Sequence, residues 1–174
     1  MKRAVIFLVA LTIVSVGCKS SGPTQQAGLV TAASPSTVQT TGYVTDDAKV
    51  LDEPTRKQLE TTLAALRERK KIDFAVVTVT STGDKSAFDY SLDLARKRKN
   101  NSIEKNISGL LLLVAVDDRN WRIQITDNLQ KVLTNEILTD LSRPMTDLFR
   151  QKQYGEGILN YVNAIIAKLE QAAP

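Results

Sequence analysis

Six aspartates stand beside predicted chain bends: Asp46, Asp47, Asp52, Asp84, Asp117 and Asp118. Carboxylates gathered without histidine suit a hard cation such as calcium or magnesium, because oxygen ligands satisfy the ion and its charge relieves their mutual repulsion. Two plainer roles compete with that reading. Asp is a common turn and N-cap residue, and Arg119 beside Asp46 or Asp118 would form a structural ion pair needing no metal. The chain contains no histidine, which excludes His triads, His general bases and the usual zinc sites. Its one cysteine, Cys18, excludes an intrachain disulfide.

Placing these acids requires the elements around them. Gly109 to Ile125, GLLLLVAVDDRNWRIQI, organises the chain. The apolar run Leu110–Val116 is too short to span a membrane and is predicted as a strand buried on both faces. Asp117 to Asn120 turn the chain, and Trp121, Ile123 and Ile125 alternate with polar residues as in a half-buried strand. An earlier strand is predicted over Asp73–Val79. Between these strands, Ser86 to Lys99 is predicted helical, with Phe88, Leu92 and Ala95 inward and Tyr90 and Leu94 nearby. Arg96-Lys97-Arg98-Lys99 then ends that helix as a solvated run complementing its dipole, with binding of anionic lipid headgroups as the competing reading.

Before the first strand, Asp52 should cap a helix beginning at Glu53 with Leu59, Leu63 and Leu66 inward. After the third strand, Thr134 should cap a helix that Pro144 breaks or restarts. The final helix carries Ile158, Tyr161, Val162, Ile165 and Leu169 on one face, a core stripe. This order predicts an α/β fold. Two parallel strands are joined by a right-handed crossover and flanked by an antiparallel neighbour, giving a small mixed sheet in a three-layer α/β/α sandwich. The C-terminal strand edge then collects up to six carboxylates, Asp46, Asp47, Asp52, Asp84, Asp117 and Asp118, where α/β sheets commonly place sites. Asp127 and Asn128 should fall at the opposite edge.

The first residues set the expected location. Lys2 and Arg3 precede the apolar stretch Ala4–Val16 and then Gly17, the anatomy of an export signal over residues 1–17. Ser15-Val16-Gly17-Cys18 resembles a bacterial lipobox, which implies lipidation of Cys18, with palmitate among the acyl groups. Lys19 after the cysteine favours the outer membrane, facing the periplasm. Residues 18–42 form an acylated, Ser-, Thr-, Gly- and Pro-rich linker with a reach of roughly 25 Å, and the globular domain spans 43–174. Without Lys2 and Arg3 the chain keeps 21 basic residues against 19 acidic, too even a balance to imply nucleic acid.

Three stretches together resemble the TPM domain family of thylakoid-lumen and bacterial envelope proteins. They are Val44-Thr45-Asp46-Asp47-Ala48-Lys49-Val50-Leu51, the strand Gly109–Ala115 followed by Asp118-Arg119, and Phe149-Arg150 to Tyr154 before an apolar helix. The resemblance implies an α/β/α sandwich and a role in assembly or maintenance of membrane protein complexes. For some members it also implies divalent-metal binding and acid phosphatase activity. The chain carries Ile107-Ser108, Thr126-Asp127-Asn128 and Lys152-Gln153 where the family often has Asp-Asn, a glycine-rich turn and Gly-Asp. The expectation is a membrane-tethered interaction module with envelope protein partners and no required cofactor. Its alternative is a weak phosphatase using calcium or magnesium on Asp46, Asp47, Asp117 and Asp118.

Overall fold

The computed structural model describes residues 42–101 and 107–172. The expected signal over 1–17, the expected lipidation at Cys18 and the linker up to residue 41 lie outside the described residues. The elements run β1 (Val44–Asp46), α1 (Glu53–Lys70), β2 (Ile72–Val79), α2 (Ala87–Asn101), β3 (Ser108–Ala115), β4 (Asn120–Ile125), a 3-10 turn (Asp127–Leu129), α3 (Asn135–Arg150) and α4 (Tyr154–Gln171).

The sheet order is β1-β2-β3-β4. β1 and β3 each pair parallel with β2, while β4 pairs antiparallel with β3. The expected α/β class and mixed sheet are therefore present, with a third parallel strand added. Three residues are too few for an alternation signal, so β1 carries no periodicity to find.

Pleating divides β2 and β3 between two cores. Phe74, Val76, Leu110, Leu112 and Val114 face the larger core with Leu59, Leu63 and Leu66 of α1, Met145 of α3 and the stripe of α4. Trp121 and Tyr161 meet there edge to face at 5.7 Å. Val77, Val79, Leu111, Leu113 and Ala115 face the smaller core, where Ala87 and Leu94 of α2 are the buried helical partners. Among the described residues, three helices thus cover one face and a single helix the other.

Local chemistry explains the boundaries. Asp52 accepts from Thr55 N at 3.0 Å and starts α1, and Thr134 accepts from Ile137 N to start α3. Contrary to expectation, α3 continues through Pro144. Pro144 and Asp140 are both exposed, so the helical carbonyl of Asp140 that loses its donor can turn to water. Helices α3 and α4 approach closely at Gly157. A Cβ there would stand 3.0 Å from Phe149 Cε1 and 3.2 Å from the Met145 carbonyl.

The inward face of α2 also differs from expectation. Ala87, Ser91 and Leu94 are buried, whereas Phe88 is exposed beneath the Arg122 guanidinium at 5.2 Å. Apolar residues surround much of α2, leaving its stripe ambiguous in sequence.

Candidate functional site

The three parallel strands share a C-terminal edge, and the register Asp46↔Thr78 places Asp46 there. Asp117 and Asp118 follow β3 at the same edge, as expected. Asp46 lies across the mouth of its own loop. Its Oδ1 accepts from Val50 N at 3.1 Å and its Oδ2 from Leu51 N at 3.0 Å, while the Thr78 hydroxyl donates to Oδ1. One carboxylate thereby ties the β1–α1 loop to the end of β2. The loop passes through Lys49 at φ 54°, and α1 begins beyond it.

Asp118 does the same across a longer gap in sequence. Ser81 Oγ donates to its Oδ1 at 2.7 Å, and Thr82 N and Oγ1 donate to its Oδ2 at 2.8 and 3.0 Å. These bonds join the β3–β4 turn to the β2–α2 loop. The Thr82 backbone N–H, then the Ser81 hydroxyl, hold the Asp118 carboxyl below the usual carboxylate range by favouring its charged form.

Asp47 and Asp117 share the edge and are exposed. Asp117 N donates to Thr80 O at 2.9 Å and Asp47 N to Thr78 O at 3.0 Å, so the backbone fixes both positions. Among the described residues, no three Asp, Glu or Cys side chains gather closely enough to hold a metal ion. Asp52 of the original six serves as the α1 cap.

Arg119 departs from the expected ion pair. It occupies the left-handed position of the β3–β4 turn at φ 49°, is exposed, and pairs with no acid among the described residues. Asp118 is instead drawn toward Ser81 and Thr82. Lys152, where the family often has glycine, also has positive φ, 62°, which accounts for glycine's suitability there.

At the opposite edge stands a cluster not foreseen in sequence. Asp73, at the start of β2, has a side chain only 9% exposed. Arg98 of α2 reaches it through Nε to Oδ2 at 2.6 Å and Nη2 to Oδ1 at 2.8 Å. Arg67 of α1 reaches Oδ1 at 3.0 Å from the other side of the sheet. Arg98 Nη1 also donates to Gly42 O at 2.7 Å, and its guanidinium lies 5.8 Å from the Tyr43 ring centre. One acid therefore clamps both helical layers and the entry of β1. Burial works to raise the Asp73 carboxyl, but Arg98 and then Arg67 overcome it and hold it below the usual range.

Arg98 corrects the reading of Arg96-Lys97-Arg98-Lys99 as uniformly solvated, because its side chain is 14% exposed. The helical period points it inward while Arg96, Lys97 and Lys99 remain outside. The available sequence signal was an acid opening an otherwise apolar strand.

Comparison with known proteins agrees with this architecture. The profile of the TPM domain family matches residues 44–168. The solution structure of an N-terminal domain of a protein from P. gingivalis is 32% identical, with a TM-score of 0.68 over 76% of this chain and 85% of that one. The BA42 protein of the psychrophilic bacterium Bizionia argentinensis is 17% identical, with a TM-score of 0.59 over 71% of this chain and 84% of its own. The N-terminal domain of the cg2496 protein from Corynebacterium glutamicum is 12% identical, with a TM-score of 0.58 over 82% of this chain and 88% of its own. These last two likenesses concern the fold alone. No match is found among curated proteins. With its profile match spanning most of the chain and its sheet order in place, the protein belongs to the TPM domain family.

Proposed function

We propose that this protein is a membrane-tethered interaction module that maintains envelope protein complexes, held through lipid on Cys18 to the outer membrane and facing the periplasm. The observation carrying this reading is the construction of the C-terminal edge. Asp46 and Asp118 bind the backbone of neighbouring loops, so the loops of the edge are tied in place while Asp47, Asp117 and Arg119 are exposed. A pre-ordered polar rim lowers the entropic cost of docking a partner. The lipobox-like residues before Cys18 and the polar linker support the tether.

Photo-cross-linking in cells from positions 47 and 117 tests the module. The acylated chain should capture the same envelope protein repeatedly, and Cys18→Ser should abolish capture. Absence of a reproducible partner from the acylated chain would overturn the proposal. The alternative, a calcium- or magnesium-dependent phosphatase, draws support from the common edge shared by Asp46, Asp47, Asp117 and Asp118. It requires phosphomonoester hydrolysis that depends on the ion and falls with Asp117→Ala.

A further inference from the structure

The sheet face covered by α2 has a second feature, remote from the acidic edge. Asp73 and Gly109 are register partners, and Thr126 N donates to Gly109 O at 3.0 Å. Gly109 contributes no side chain, and a Cβ there would meet only Thr126 Cγ2 at 3.6 Å and Asp73 O at 4.0 Å within 4 Å. A cavity of about 200 Å³ opens beside it, between α2 and the sheet. Leu92, Ala95, Arg96 and Lys99 line its helical wall, and Leu111 contributes to the sheet wall. Their i, i+3, i+4 and i+7 spacing puts the four α2 residues on one helix face. That face changes from apolar near Leu92 to cationic toward Lys99.

The charge balance selects an occupant. Among the described residues Asp73 is the only acid lining the cavity, and it is clamped by Arg98 and Arg67. Arg96 and Lys99 are exposed; Arg96 acts on the Asp93 carboxylate of its own helix only through a weak, longer-range attraction. The volume is below the roughly 300–1,000 Å³ common for drug-sized ligands. It suits one short alkyl or aryl group better than a diacyl lipid.

The geometry points to a binding site for a small amphipathic carboxylate, its apolar body against Leu92, Ala95 and Leu111 and its carboxylate toward Arg96 and Lys99. Charge-assisted hydrogen bonds from these cations would orient the acid, while the apolar wall would favour a carbon chain over an inorganic anion. The site lies at the N-terminal strand edge and is independent of the proposed envelope interaction.

Octanoate titration of the full-length, 15N-labelled chain by NMR tests this assignment. Saturable shifts should centre on the Ala95 and Leu111 amides, with octylammonium binding more weakly. Combined Arg96→Glu and Lys99→Glu substitutions should weaken octanoate at least about tenfold by replacing attraction with repulsion. Gly109→Val should fill the cavity and abolish the shifts. The surface charge reversals provide a second test if Gly109→Val disturbs β3. Octylammonium binding as tightly as octanoate, or octanoate shifts unchanged by charge reversal in a folded chain, would overturn the assignment. Shifts with phosphatidylglycerol vesicles but not octanoate would also overturn it, assigning the basic face to a lipid surface.

Discussion

The two edges of the sheet use the same side chain in opposite ways. At the C-terminal edge, Asp46 and Asp118 receive hydrogen bonds from loop backbone and hydroxyl groups. At the N-terminal edge, Asp73 receives two guanidiniums from helices on opposite faces. The first arrangement orders loops locally; the second joins layers whose residues are distant in sequence. Acidic residues near a sheet edge therefore do not by themselves identify a catalytic centre. Their oxygen partners separate loop scaffolds, layer clamps and ligand-facing groups.

Asp73→Ala should produce the largest stability loss, about 3 kcal/mol, because both guanidiniums lose their buried counter-charge. Urea denaturation measures the loss; less than about 1 kcal/mol would equate the clamp with an exposed ion pair. Its pH dependence has a defined sign. The folded Asp73 pKa is lowered, so its stabilisation is present above the unfolded value of about 4 and is lost as pH falls through the folded value. Denaturation at stepped pH should show wild type and Asp73→Asn converging in that acidic range. A constant difference through acid unfolding would contradict the charge-based clamp.

Asp46→Ala should have the next largest effect, about 2 kcal/mol, through loss of several bonds to one charged acceptor. Hydrogen exchange should accelerate at Val50 and Leu51. Unchanged exchange would remove Asp46 from its assigned structural role. Asp118→Ala should cost about 1 kcal/mol, less because its carboxylate is exposed and competes with water. Increased exchange at Thr82, with β2 otherwise protected, would localise the effect to the loop junction.

Much of the framework was legible because its signals are local. Asp52 and Thr134 sit at helix starts, β4 alternates, and the α4 stripe has a clear helical period. The short β1 strand was not legible by alternation, since its assignment depends on pairing with β2. Pro144 suggested a break, but its exposed position lets the helix continue. The Asp73–Arg98 clamp was hidden by a separation of 25 residues. A run of four cations also looked uniformly solvated until the fold selected one of them. Sequence brought the expected acids to one edge, but their hydrogen-bond partners required the loop geometry.

The most direct test of the contrast between edges is a calcium titration, followed by magnesium, of the full-length 15N-labelled chain by NMR. The scaffold account predicts no saturable shifts at the Val50, Leu51 or Thr82 amides. Saturable shifts at these amides, reversed by chelation and weakened by Asp117→Ala, would contradict it and favour a metal centre at the acidic edge.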